Sequence, residues 1–383
     1  MSSSRPLQKQ VGESEIAKHE DQNILKHPVL SIDKKEECLE WTIIHSGYTS
    51  ETLLEEANLL RDDVKNFSKV REQIPFVDHS YILEFLQARS CVLLIAPPGF
   101  GKTSIISMLE YFFDVHHKDE FDHVFRALEA KNYADTFFNP CHPDMGGHSN
   151  CYVLNLDFGD VFVDSSHHDV NSGLNKILNA FANKYELDIA QYDFTNGDVV
   201  ETLKTIFSNV TGTEYGVAVF IDNYDSPYLR AIRSGLPTNK RRDLQRTISR
   251  ILDVILSFHV HGSVDRIFLT GEDFVPELMT KRVQKCTYNL LNHYPTLRNV
   301  IGFSYSDALK IASRFQQEFR GLQTVEMVKE WFESEEAGDE YDEVDDLISC
   351  RRIVQLFAQH LESHAERLRD DGPVESWTEV VCY

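Results

Sequence analysis

The chain contains no run of about eighteen apolar residues, so no segment of it is expected to cross a bilayer as a helix. Its first thirty residues are polar and mixed in charge, without the apolar stretch of a secretory leader. Basic residues are also scarce. The 38 Lys and Arg stand against 61 Asp and Glu, leaving a net charge of −23. That excludes a protein that coats nucleic acid through its overall field. The one dense basic stretch, Lys240-Arg241-Arg242 with Arg246 and Arg250, has helical spacing and reads as a solvated helix face. Seven cysteines, an odd number with no C-x-x-C pair, fit reduced thiols rather than a disulfide framework. A soluble, intracellular protein, cytoplasmic or nuclear, is the expectation. Cys141-His142 and His148-x-x-Cys151 match no zinc spacing, and His116-His117 and His167-His168 read as exposed pairs on loops. There is no internal repeat, no Ser/His/Asp arrangement and no guanine-reading Asn-Lys-x-Asp box.

What is present is a strand, a turn and a helix between Cys91 and Ser104. An apolar run ends at Pro97-Pro98-Gly99-Phe100-Gly101, and Lys102-Thr103-Ser104 then opens a stretch with Ile105, Ile106, Leu109, Phe112 and Phe113 at helical spacing. The pattern is one residue short of a strict phosphate-loop motif, because Ala96 stands where its first Gly belongs. The chemistry depends on the rest. Gly99 and Gly101 let backbone N–H groups approach an anion at a helix N-terminus. Lys102 supplies a charge for the β- and γ-phosphates and Thr103 a hydroxyl for Mg²⁺.

Three further strands are expected at 152–158, 216–222 and 266–270, separated by helices at 174–185, 199–210 and 244–258. Strands alternating with helices imply crossover connections and a parallel α/β sheet covered on both faces. The helix after Phe76 is expected to be capped by Asp78 or Ser80. Residues 1–25 read as a disordered arm, 26–74 as a helical or mixed extension, 75–304 as the core and 305–383 as a helical lid. An acidic loop at 333–346 interrupts the lid, whose last helix is expected from Leu347 to about Leu368.

The second strand ends in Asp222, and a carboxylate there, on a strand expected beside the first, would face the loop and help hold Mg²⁺. The next residue is Asn223, an amide that orients water but cannot take its proton. Asp225 is the substitute if the turn bends it inward. On this reading Asn223→Glu raises turnover. Thr270, at the end of the third strand, is placed to sense the γ-phosphate or the water. Arg298, Arg351 and Arg352 lie where a lid can bring a guanidinium to the phosphates, whereas Arg266 points away.

The ordered set Phe76-Val-Asp-His-Ser-Tyr-Ile-Leu, Pro98-Gly-Phe-Gly-Lys-Thr-Ser, Phe220-Ile-Asp-Asn-Tyr-Asp-Ser-Pro227, Leu269-Thr-Gly271 and Ile301-Gly-Phe-Ser304 resembles the signatures of the AAA-ATPase-like domain family, across residues 75–335. The resemblance implies a P-loop NTPase core of the additional-strand type, AAA/STAND-like, with a lid beginning at Phe303-Ser304. Members are often joined to a nuclease-like domain, for which the residues after 335 leave no room. Two basic residues are replaced by Pro97-Pro98 and the usual Glu by Asn223. Lys102, Thr103, Asp222 and Asp225 carry over. The resulting expectation is an ATP-binding protein using Mg²⁺, a slow ATPase acting as a switch. The alternatives are a non-hydrolysing scaffold and, further off, a phosphoryl transferase. Nucleic acid enters as a partner only through the family, and a protein partner is left unnamed.

Overall fold

Four strands of the central sheet are apolar on both faces, which is what a parallel sheet between two helical layers requires. In β1 (Cys91–Ile95), Cys91 and Leu93 face one helical layer while Val92 and Leu94 face the other. In β3 (Gly216–Asp222), Val217, Val219 and Ile221 face the first layer and Ala218 and Phe220 the second. With β2 (Cys151–Asp157), β4 (Val264–Gly271) and β5 (Tyr288–Asn289), they form a five-stranded parallel sheet in the order β2-β3-β4-β1-β5. The computed structural model describes residues 50–61, 66–72, 76–134, 147–161, 167–188, 197–293, 300–319, 322–333 and 347–370. The arm at 1–25, Cys141-His142, Arg298 and the acidic residues 334–346 lie outside them.

The order corrects one expectation. The strand ending in Asp222 is not beside β1, because β4 lies between them and pairs with both. Alternation along β3 still puts Asp222 on the side of Ala218 and Phe220, facing the helix that follows the loop. That helix, α4 (Lys102–Phe113), shares its layer with α3 (Ile82–Ala88) and α2 (Phe67–Glu72). The opposite layer holds α5 (His167–Lys184), α6 (Val199–Val210), α7 (Ser226–Arg233) and α8 (Thr238–Val260). The basic run lies on α8, with Lys240, Arg242, Arg246 and Arg250 at its surface.

Asp78 and Ser80 do not cap α3, since the turn at His79–Tyr81 already occupies its first amides. Their side chains reach instead to the Glu129 and Ala130 amides and fasten a distant turn. His116 and His117 sit in a 3-10 turn, stacked on Tyr185 and Tyr111, rather than on a free loop.

A third apolar cluster is built by α9 (Tyr305–Glu318), α10 (Thr324–Glu333) and α11 (Cys350–Asp370). Ser304 caps α9 in a reciprocal capping box with Asp307. Leu347 and Ile348 do not belong to α11. They form β7 (Leu347–Ile348), antiparallel to β6 (Phe303–Ser304), because strand pairing takes up the backbone that a helix would otherwise use. From the other end of the chain, α1 (Ser50–Arg61) adds Leu53 and Ala57 to the same cluster and packs along α11.

Candidate functional site

The turn between β1 and α4 begins where Ala96 N–H donates to Gly271 O, a last ladder bond to β4. Pro97 and Pro98 have no N–H to offer and are exposed. Gly99 and Gly101 both have φ +83, a left-handed backbone that costs a residue with Cβ energy. At Gly99 an added Cβ would also lie 2.6 Å from Ser349 Oγ. The consequence is a row of donors. Among the described residues, the amides of Gly99, Phe100, Gly101, Lys102, Thr103 and Ser104 have no acceptor, and the first turn of a twelve-residue helix adds its dipole.

Lys102 is buried, and its Nζ donates to Ala96 O at 2.6 Å and Pro97 O at 2.8 Å. Burial lowers its pKa, against the pull of Asp222, Glu272 and Asp225. One residue on, Thr103 Oγ1 donates to Asp222 Oδ2 at 2.6 Å. Thr270 Oγ1 donates to the other oxygen, Asp222 Oδ1. The loop and the end of β3 are therefore in direct contact. Burial raises the Asp222 pKa, the two hydroxyl bonds oppose the rise, and Asp157 adds to it.

This raised pKa has a sign. A carboxyl that holds its proton more tightly folded than unfolded contributes stability that is full below its ordinary value of 3.8 and is lost as pH rises through the folded value. At neutral pH, above that ordinary value, the raised pKa works against the nucleotide-free fold. Asp222→Asn is therefore expected to raise the Tm of the free protein at pH 7, by roughly 2 °C for each kcal/mol recovered. The gain should shrink as pH falls toward 4. A lowered Tm at pH 7 in a pH series of thermal melts would contradict this electrostatic account.

Asn223 follows with φ +55, a conformation Asn tolerates better than most residues. Its backbone N–H donates to Thr270 Oγ1 at 3.1 Å, and its Nδ2 donates to Asp157 Oδ1 at 3.3 Å. Asp157 is the residue that reading the sequence missed. It ends β2 in register with Asp222, and the same signature of an apolar strand closed by Asp could have flagged it.

Asp225 is turned inward but occupied. Its Oδ2 accepts from the amides of Glu272 and Asp273 at 2.8 and 2.7 Å, while Oδ1 is buried without a partner. Burial raises its pKa against those bonds. Tyr224 fastens the same turn, its hydroxyl donating to Asp273 O and accepting from Val275 N–H. A Cβ on Gly271 would lie 2.5 Å from the Tyr224 ring, so Tyr224-Asp225 and Thr270-Gly271 form one packed unit.

The lid touches the loop from outside. Arg351 N–H and Ser349 Oγ both donate to Gly99 O at 3.2 Å, and Gly302 N–H donates to Phe100 O at 3.1 Å. Cys350 Sγ lies 3.4 Å from where a Gly101 Cβ would stand. The Arg351 side chain is exposed, Arg352 lies over the Trp331 ring, and Arg266 is buried with Nη1 donating to Leu86 O. Elsewhere, Glu110, Asp114 and His117 converge, but Lys184 Nζ already sits 2.6 Å from Asp114 as their cation.

The sequence model of the AAA-ATPase-like family, described as predicted AAA-ATPases, matches residues 63–276. The chain belongs to this family. Membership places it among P-loop ATPases in general, a nucleotide-binding class, and the AAA-ATPase-like match covers the loop, Asp157, Asp222 and Thr270. No curated protein matches the sequence closely enough to count as a relative. Among solved structures, the Aeropyrum pernix ORC2 protein in its ADPNP-ADP complexes is 13% identical over 75% of this chain, with a TM-score of 0.35. Drosophila ORC bound to DNA is 11% identical over 92% of this chain and 69% of that one, with a TM-score of 0.40. C. elegans PCH-2 is 12% identical over 82% and 67%, with a TM-score of 0.24. The chain spans 66% of the ORC2 chain, just under two thirds. TM-scores this low carry no inference about the site. No helix among the described residues is long and apolar enough to cross a membrane.

Proposed function

We propose that this AAA-ATPase-like protein binds ATP together with Mg²⁺ at the loop before α4 and hydrolyses it slowly, its lid responding to the nucleotide. The observation that carries the reading is the run of six amides, Gly99 to Ser104, without an acceptor among the described residues and ending at a hydroxyl that touches Asp222. A polyphosphate fits such a run, because each donor otherwise lacks a partner and the helix dipole favours negative charge. Lys102 rests on two loop carbonyls and can exchange them for phosphate oxygens. Thr103 and Asp222 offer the hydroxyl and carboxylate that would hold Mg²⁺, which when bound supplies positive charge to the phosphate oxygens. The missing guanine-reading box favours adenine.

The water is the remaining requirement. Asn223 can orient it but has no basic oxygen to receive its proton. Asp157, bonded to the Asn223 amide, supplies that carboxylate from the neighbouring strand. Asp225, spent on the Glu272 and Asp273 amides, holds the end of β4 so that Thr270 stays on Asp222. The contacts from Ser349 and Arg351 to Gly99 O give the lid a mechanical link to the loop, and the stem of the Arg351 side chain passes 3.2 Å from where a Gly99 Cβ would stand.

A second reading is favoured by Asn223 itself: a nucleotide-held switch that scarcely turns over. Single-turnover hydrolysis of ATP with Mg²⁺ separates the two. A first-order rate on the order of 10⁻³ s⁻¹, typical of NTPases lacking part of their catalytic set, supports the enzyme. A rate no faster than ATP alone in buffer leaves the switch.

A further inference from the structure

At the other end of β1, away from the loop, two cations stand without counter-charges among the described residues. Arg89 and Ser90 lead into β1, and Lys285, Cys286 and Thr287 lead into β5, so their side chains line one cleft of about 430 Å³ at the N-terminal ends of these strands. No carboxylate lines it among the described residues. Arg89 stacks over the Tyr288 ring at 4.8 Å, yet its buried Nε has no hydrogen-bond partner. Among the described residues neither Arg89 nor Lys285 has an ion pair, in a chain whose acids outnumber its bases 61 to 38. A buried Nε without an acceptor is costly. Stacked by its face on Tyr288, the guanidinium keeps edge donors for a forked pair with carboxylate or phosphate.

The rest of the cleft fits the same occupant. His259 Nδ1 faces Val264 O at 2.7 Å, and a carbonyl only accepts, so Nδ1 carries the proton in the neutral ring. Nε2 then accepts from Ser90 Oγ at 3.0 Å, which locks that wall in place. The Thr287 hydroxyl, 3.6 Å from Cys91 Sγ, can turn its proton into the cleft. Leu256, the Tyr288 ring and Val260, an apolar side chain 60% exposed, supply a surface for an apolar body. The volume falls in the range of about 300–1,000 Å³ usual for small-molecule sites. We infer that this cleft binds a small organic oxyanion, its head on Arg89, Lys285 and Thr287 and its body against Tyr288 and Val260.

The site is separate from the loop at the C-terminal end of β1, so it stands or falls independently of nucleotide binding. The test uses the full chain carrying Lys102→Ala, which blanks the loop, titrated with phenyl phosphate and separately with benzoate under saturation-transfer NMR. Saturable binding of either probe is expected, and the tighter of the two identifies the head group as phosphate or carboxylate. Adding Arg89→Gln should weaken it at least tenfold. Lys285→Ala, on the exposed lip where folding is not at stake, should weaken it at least threefold. No saturable binding of either probe, or unchanged affinity in both variants, overturns the assignment.

Discussion

Lys102→Ala is expected to lower ATP affinity at least about a hundredfold, roughly 2.7 kcal/mol. The magnitude follows from losing one or two charge-assisted hydrogen bonds to phosphate, each contributing about 1.5–3 kcal/mol. The fold should survive, because Lys102 is a buried cation whose pKa burial already lowers, and its two carbonyl partners lie next to the exposed prolines. A thermal melt of the variant within a few degrees of the wild type, together with the lost affinity, assigns the effect to binding. Unchanged ATP affinity would mean that the free amides of Gly99 to Ser104 do not face a phosphate.

On the proposed reading, Asp157→Asn is expected to cut the single-turnover rate about a hundredfold while leaving ATP affinity within about threefold. Removing a general base typically costs 10²–10⁴ in rate. The lower end applies because Asn223 still orients the water. The amide at 157 can keep the contact to Asn223, so shape is preserved and only the basic oxygen goes. An unchanged rate would return the role to Asp225 or leave the protein without hydrolysis. The geometry also reverses the expectation for Asn223→Glu. At φ +55 a longer side chain is strained by about 1 kcal/mol or more, and its carboxylate would meet Asp157 Oδ1. That variant is now expected to show no gain in turnover.

Much of this was legible in the chain because it is local. The β3 strand and the Lys102 helix are each written in one continuous run, and alternation puts Asp222 on the same face of β3 as Ala218 and Phe220. What the sequence hid depends on partners far away in it. Nothing near Asp222 says that β4 inserts between β3 and β1, since that order is set by which apolar faces pair across the sheet. Asp225 looks like a free carboxylate until Glu272 and Asp273, 47 and 48 residues on, are seen to occupy it. Asp157 looks like a strand end until register sets it beside Asp222. Likewise Leu53 and Ala57 carry no mark of belonging with Phe315 and Phe357 in the lid's core.

The claim beneath all of these is that the backbone from Gly99 to Ser104 is a receptor for a polyphosphate whose metal is shared by Thr103 and Asp222. Calorimetric titration of the unmodified chain with ATP, with and without magnesium, addresses it most directly. One saturable site per chain is predicted, with affinity that tightens when magnesium is added and loses that gain in Asp222→Asn. Heat that never saturates, or binding indifferent to magnesium, would contradict it.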